Sequence, residues 1–255
     1  MSSAPFPSSR PHLRLLPTAA ADGPTNMSTD EALLEVAGPT TLRLYSWDPS
    51  TVSLGYFQDH ASVTAGLPAG TAVVRRITGG GAIWHEHEVT YGLVGVPGRD
   101  GLPERTADCY RVLHAAVLAA IQARGGKLRL QAQTVGDRRY RDEPRCFASP
   151  AADDLVAADV IGKVLGSAAR RRGDRLLIHG SLKLASNAWD GDAVAGCGLD
   201  RAQAEAALLE AIPAALGAVI EPGVLTGEEL AARDRLRHAR YGDDAWVVRR
   251  TGPRP

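Results

Sequence analysis

Three short stretches of the chain carry residue types able to do chemistry. The first is Arg75-Arg76-Ile77-Thr78-Gly79-Gly80-Gly81-Ala82-Ile83-Trp84-His85. Three successive glycines let a backbone approach a ligand closely and present unhindered N–H groups. Two arginines just upstream have the geometry to hold a phosphate or carboxylate bidentately. A flexible hairpin turn with solvated arginines is the plainer alternative, since a glycine run alone is a weak signal. No Gly-Lys-Ser/Thr follows the glycines, so the stretch is not a P-loop.

The second is Glu143-Pro144-Arg145-Cys146-Phe147-Ala148-Ser149-Pro150. Prolines bracket Cys146, so the segment reads as a loop, and loops on a rigid scaffold often carry nucleophiles. The neighbouring Arg145 would favour a thiolate. The competing reading of any cysteine is a small buried hydrophobe. That reading suits Cys109, on the apolar face of a predicted helix, better than Cys146.

The third is Ile161-Gly162-Lys163-Val164-Leu165-Gly166-Ser167-Ala168, followed by His179-Gly180-Ser181. Lys163 stands among apolar and small residues. Burial lowers a lysine's pKa, and such a group serves as a base or holds an anion. The alternative is a strand lysine whose head reaches water. His179 likewise reads as either a site residue or a satisfied strand histidine. His85 and His87 would share one side of a strand, but no third ligand can be placed, which argues against a metal.

These stretches need elements to hold them. Residues 1 to about 24, rich in Pro, Ser and Ala, predict a loose arm. Ser28 and Glu31 have capping-box spacing, so a short helix is predicted there, ending at Gly38. Strands are predicted over Thr41–Trp47, Val52–Tyr56, Val73–Arg76 and Val89–Val96. Thr106 to Ala123 gives the clearest helix, with Cys109, Leu113, Val117 and Ile121 on one face. Leu155–Val160 and Ile161–Arg171 predict strands. Gly173–Asp174 turns the second of these into a return strand, Leu176–Leu184. Ala202–Leu216 predicts a helix that Pro213 should shorten or kink. Thr226 and Glu229 cap a last helix to about Arg240. Hairpins mixed with helices, without regular alternation, predict an α+β fold in one domain over residues 25–250.

Bulk properties narrow the function. Lys plus Arg equals Asp plus Glu, at 29 each, so no basic field points to nucleic acid. Three widely spaced cysteines make neither a disulfide framework nor a metal site, and a cytoplasmic setting is expected. Nothing approaches the roughly 20 apolar residues of a membrane span.

Together the motifs resemble the lipoate–protein ligase A and octanoyltransferase family, whose catalytic domain is related to that of biotin–protein ligases. The matching segments are NMSTDEALL, LRLYSWDPSTVSLGYFQ, RRITGGGAIWHEHEVTYGL, RCFASP, IGKVLGSAARRRGDRLLIHGSLKL and LTGEELAARDRLRHARYGDDAW. They fall in the family's order across roughly residues 25 to 250. The resemblance implies a mixed sheet with packed helices and an acyl tunnel beside the glycine loop. It implies that Arg76, Gly79 to Gly81 and nearby His85 line the acyl site. It places Lys163 at the reacting carbonyl, with Gly166, Ser167 and Ala168 and His179, Gly180 and Ser181 as the opposite wall.

Branches of that family differ in chemistry. Ligases make an acyl-adenylate from ATP, and usually carry an Asn-Asp pair near where Cys146-Phe147 stands. The octanoyltransferase branch uses a cysteine in this loop as nucleophile, which this chain resembles. The resemblance therefore implies octanoyl transfer from acyl carrier protein to a lysine of a lipoyl domain or the glycine-cleavage H protein, through Cys146, without a cofactor. The other expectations are an ATP- and Mg-dependent lipoate ligase, a relay between lipoyl proteins, or a non-catalytic carrier-binding module. One departure is the Asp153-Asp154 pair, where that branch often has an aromatic residue followed by Glu. Another is Arg240-Tyr241-Gly242 in place of Lys-Tyr-Gly.

Overall fold

The computed structural model describes residues 10–136 and 139–251. Its elements in chain order are β1 (His12–Ala21), α1 (Gly23–Glu35), β2 (Thr41–Trp47), β3 (Thr51–Leu54), α2 (His60–Thr64), β4 (Ala72–Arg75), β5 (Ile83–His85) and β6 (Glu88–Gly95). There follow α3 (Thr106–Gln122), β7 (Leu128–Leu130), β8 (Leu155–Ala157), β9 (Lys163–Arg172), β10 (Arg175–Lys183), α4 (Arg201–Leu216), β11 (Val219–Pro222), α5 (Gly227–Leu236) and α6 (Asp244–Arg249). Eight strands form one mixed sheet in the order β11-β1-β2-β6-β10-β9-β8-β7, and β4-β3-β5 form a second. The α+β expectation holds.

The sheet's two faces carry different helices. On one, α3 and α4 pack together over Leu42, Leu93, Leu165 and Ile178. On the other, α1 and α5 cover Tyr45, Val94 and Leu177. Central β6 and β10 are buried along their whole length. They pair antiparallel, with Gly180 opposite Tyr91 and Ser181 opposite Thr90. β10 also pairs with β9, setting His179 opposite Ala168 and Ser181 opposite Gly166. Two of the predicted motifs thus become adjacent strands.

Several expectations need correction. The loose arm is wrong over residues 10–24, while residues 1–9 lie outside the described residues. Leu13 and Leu16 are buried, and β1 pairs parallel with both β2 and β11. Pro17 and the run Ala19–Ala21 did not prevent the strand, because it is paired on both sides, with Thr41–Trp47 and Val219–Pro222. Helix α1 starts earlier than predicted. The Asp22 side chain caps it by accepting the Thr25 N–H, and Ser28 sits inside it, donating to the Thr25 carbonyl. The helix through Pro213 continues to Leu216, where Gly217 at φ 61° closes it. The Thr226–Glu229 capping box is present. The last predicted helix instead ends at Leu236, with a π-helical turn over Arg237–Tyr241 leading to α6.

Candidate active site

The glycine loop runs from β4 to β5, and Arg76 moulds it. Its Nη2 donates to the Gly79 and Gly81 carbonyls at 2.9 and 2.7 Å. Its Nη1 donates to the carbonyl and hydroxyl of Ser53, and its Nε to the Thr78 hydroxyl. Every N–H of the guanidinium has an acceptor in the protein, so the expected bidentate anion clamp is not available. Arg75 is also corrected. It is fully buried and donates to the carbonyls of Gly55, Tyr56, Gln58 and Val247. It points away from the cavity and ties the C-terminal helix to the small sheet.

The loop in turn positions the cysteine. Ala82 N–H donates to the Pro144 carbonyl at 2.7 Å, and Cys146 N–H donates to the Ala82 carbonyl at 2.8 Å. This stitch requires glycine at 81. A Cβ there would lie 2.4 Å from the Tyr140 ring and 2.7 Å from the Cys146 nitrogen. Gly81 and Ala82 therefore serve as a seat for the thiol loop and do not line the cavity, and neither does Gly79. Cys146 is 9% exposed and packs with Ile83, Phe147 and Val194. Arg145, expected to favour the thiolate, is engaged with Glu143 and with the carbonyls of Trp189 and Asp190.

The cation at the sulfur is Lys163. Its Nζ donates to Cys146 Sγ at 3.6 Å and lies 2.8 Å from Asp154 Oδ2. Asp154 Oδ2 also accepts the Ala151 N–H at 2.6 Å. The Lys163 side chain folds back over its own strand, above Gly166. A Cβ on Gly166 would stand 2.4 Å from both Lys163 Cε and Nζ. Burial alone would lower the lysine's pKa. The Cys146 and Asp154 charges beside it outweigh that and raise it, so Lys163 is an ammonium, which favours the anion-holding role over the base role of the two expected from sequence. Burial pushes the nearby Tyr140 hydroxyl up to about 12, and the Cys146 charge adds to this.

Cys146 and Lys163 open onto a cavity of about 70 Å³. Met27, Tyr45, Trp47 and Ile83 give it apolar walls. Of the residues singled out from sequence, Arg76, Gly80, His85, Gly166, Ser167, Ala168, His179, Gly180 and Ser181 line it. Apolar walls with a few fixed polar groups at a reactive end suit a fatty acyl chain.

The two histidines are fixed in place. His85 stacks on Trp47 at 3.8 Å, and its Nδ1 meets Glu88 Oε1 at 2.7 Å. The carboxylate fixes the proton on Nδ1, leaving Nε2 to accept from the Ser53 hydroxyl at 2.7 Å. Burial pulls the His85 pKa down to about 4, so the ring is neutral at pH 7. His87 lies past the strand end at φ 50°, so the two do not share a face. His179 bridges Asp30 Oδ2 at 2.9 Å and the Thr78 hydroxyl at 2.8 Å. Arg43 and Tyr45 also hold Asp30. Sequence reasoning missed Asp154, Asp30, Trp47 and Tyr140 as site residues. The Asp153-Asp154 pair was visible as a departure from the family pattern, but nothing in it announced a contact with Lys163.

Comparison with known proteins agrees with this geometry. The family model for the lipoyl protein ligase A/B catalytic domain matches residues 22–203. Octanoyltransferase LipM of Kyrpidia tusciae is 32% identical, the alignment covering 93% of this chain and 98% of the relative. Octanoyltransferase LipM of Symbiobacterium thermophilum is 33% identical over the same shares. Among solved structures, a bipartite lipoate protein ligase from Thermoplasma acidophilum, studied with its E2 lipoyl domain, superposes with a TM-score of 0.74 at 17% identity. That match covers 96% of this chain and 99% of the other. A lipoate–protein ligase A bound with ATP superposes with a TM-score of 0.73 at 18% identity, covering 92% of this chain and 98% of that one. The family model over residues 22–203, with relatives matched over nearly their whole length, shows that the chain belongs to the lipoyl protein ligase A/B catalytic domain family.

Proposed function

We propose that this protein is an octanoyltransferase of protein lipoylation, acting through a thioester on Cys146. The observation that carries the reading is the 3.6 Å approach of Lys163 Nζ to Cys146 Sγ beside the apolar cavity. The relatives named octanoyltransferase, matched over nearly their whole length, support the reaction class. The Cys146 thiolate, paired with the Lys163 ammonium, attacks the carbonyl of an octanoyl thioester. The Sγ–carbon bond forms, the donor's carbon–sulfur bond breaks, and the electron pair leaves on the donor sulfur. One thioester replaces another, so the step is nearly balanced and needs no ATP. A neutral lysine amine of the acceptor then attacks. The carbon–nitrogen bond forms, Sγ leaves as a thiolate facing Lys163, and the amine's proton is released. Acyl carrier protein is the proposed donor, and a lipoyl domain or the glycine-cleavage H protein the acceptor. The proposed setting is the cytoplasm. No helix among the described residues is long and apolar enough to cross a membrane.

The test is mass spectrometry of the protein incubated with octanoyl-acyl carrier protein and no ATP, followed by an apo lipoyl domain. One octanoyl group should appear on Cys146 and then move to the acceptor lysine. Cys146→Ala should show neither. If acceptor octanoylation needs free acid and ATP instead, the ligase reading replaces this one. If only a lipoyl protein loads Cys146, the enzyme is a relay with the same chemistry and another donor.

A further inference from the structure

Cys146 cannot be the lasting counter-charge of Lys163. Lys163 is 3% exposed and has two partners, Cys146 Sγ at 3.6 Å, which the proposed reaction uses as a thiolate, and Asp154 Oδ2 at 2.8 Å. On the proposed pathway the first partner disappears midway, because the sulfur of a thioester bears no charge. A buried ammonium left without an anion loses its proton. The carboxylate is the partner that stays. We infer that Asp154 is a positioning residue for the second half-reaction: it holds Lys163 as an ammonium in the acyl-enzyme, ready to receive the Sγ thiolate when the acceptor amine displaces it. This rests on Cys146 being the acylated residue.

The surroundings are built for that division of labour. Asp154 is itself 5% exposed, and the Ala151 N–H fixes the same oxygen that meets Lys163. Its loop is fixed from behind. His114 Nδ1 meets the Asp153 carbonyl at 2.7 Å, and His114 Nε2 meets the Ser167 hydroxyl at 2.7 Å. A carbonyl only accepts, so Nδ1 carries the proton and Ser167 donates to Nε2. The other charged or titratable groups acting on this cluster include Tyr140, Arg76, His114, Tyr91 and Tyr110, and burial raises the last two so that they stay protonated. Tyr140 and His114 are neutral near pH 7, since burial raises the pKa of the first and lowers that of the second. Arg76 is saturated by its own loop. No other carboxylate among the described residues is paired with Lys163.

The experiment is a half-reaction analysis of Asp154→Asn across about pH 6 to about pH 9. Acylation of Cys146 from octanoyl-acyl carrier protein should fall less than transfer does, because the thiolate still supports the ammonium in the free enzyme. Transfer from the isolated acyl-enzyme to an apo lipoyl domain should fall on the order of tenfold or more at about pH 8. The ratio of variant to wild-type transfer rate should recover as pH falls, because acid restores the Lys163 proton. Asp154→Glu should recover part of the transfer rate. Equal, pH-independent losses in both half-reactions would overturn the proposal and leave Asp154 a structural partner only. A wild-type enzyme that never acquires a thioester would instead sink the Cys146 reading.

Discussion

Lys163 donates through its Nζ to the Sγ of Cys146 at 3.6 Å, although 17 residues separate the two along the chain. Two independent devices create this contact. The thiol arrives by hydrogen bonds to the glycine loop at Ala82, and the ammonium arrives from the start of β9 by folding over Gly166. Asp154 completes the second device by pairing with Nζ at 2.8 Å, while the first is anchored at Ala82, so each can be disturbed separately.

Removing the ammonium should cost both activity and stability. Lys163→Ala is expected to slow Cys146 acylation by on the order of a hundredfold, since the thiolate loses its cation. It also leaves Asp154 buried with, among the described residues, the Ala151 N–H alone, a loss of about 3 kcal/mol. Timed mass spectrometry and denaturant titration read the two effects. Full acylation in this variant would show that Lys163 does not support the nucleophile.

Gly166→Ala should separate the two effects. The new methyl would stand 2.4 Å from Lys163 Cε and Nζ, which are the mobile end of a side chain, so the lysine can move aside. Thermal stability is expected to fall less than in Lys163→Ala, because the displaced ammonium stays within reach of Asp154. Acylation is expected to fall on the order of tenfold or more, because the displaced amine no longer faces the sulfur. Unchanged acylation would mean that the 3.6 Å approach is not needed.

Much of this site was legible because its backbone requirements are written in residue type. The glycines at 79 to 81 announced close approaches, and the cysteine between prolines announced a held loop. The apolar stripe of α3 was equally plain, since Cys109, Leu113, Val117 and Ile121 repeat at helical spacing. What escaped is set by partners far away. β1 looked like an arm because its strand character depends on Thr41–Trp47 and Val219–Pro222. Asp154 looked like a family irregularity because its meaning depends on where the Lys163 side chain turns. Local composition carries no trace of either pairing.

The His85 ring gives the fold an acid-sensitive point. Burial holds its folded pKa at about 4 against an ordinary 6.5. The unfolded chain therefore takes up the proton first as pH falls. This contribution is full above about pH 6.5 and is lost as pH falls toward about 4, amounting to on the order of 3 kcal/mol. Glu88, held below the usual carboxylate range by Lys183 and His85 despite its burial, adds loss in the same direction at lower pH. Thermal melts from about pH 7.5 to about pH 4.5 should show the decline, and His85→Gln should flatten it. A slope unchanged by that substitution would place the acid sensitivity elsewhere.

Arg75 and Arg76 are adjacent in sequence but do different work, and substitution should separate them. Arg75 is fully buried and satisfies four carbonyls, one of them at Val247, 172 residues away. Arg75→Ala orphans those acceptors and is expected to cost about 3 kcal/mol or more, read by denaturant titration. The KM of the folded fraction for a small octanoyl thioester should be unchanged, since the side chain does not reach the cavity. Arg76→Ala frees the carbonyls of Gly79 and Gly81, next to the residue that seats the thiol loop. It should therefore lower the acylation rate even where the protein remains folded. A raised KM with unchanged stability for Arg75→Ala would return that residue to the substrate site.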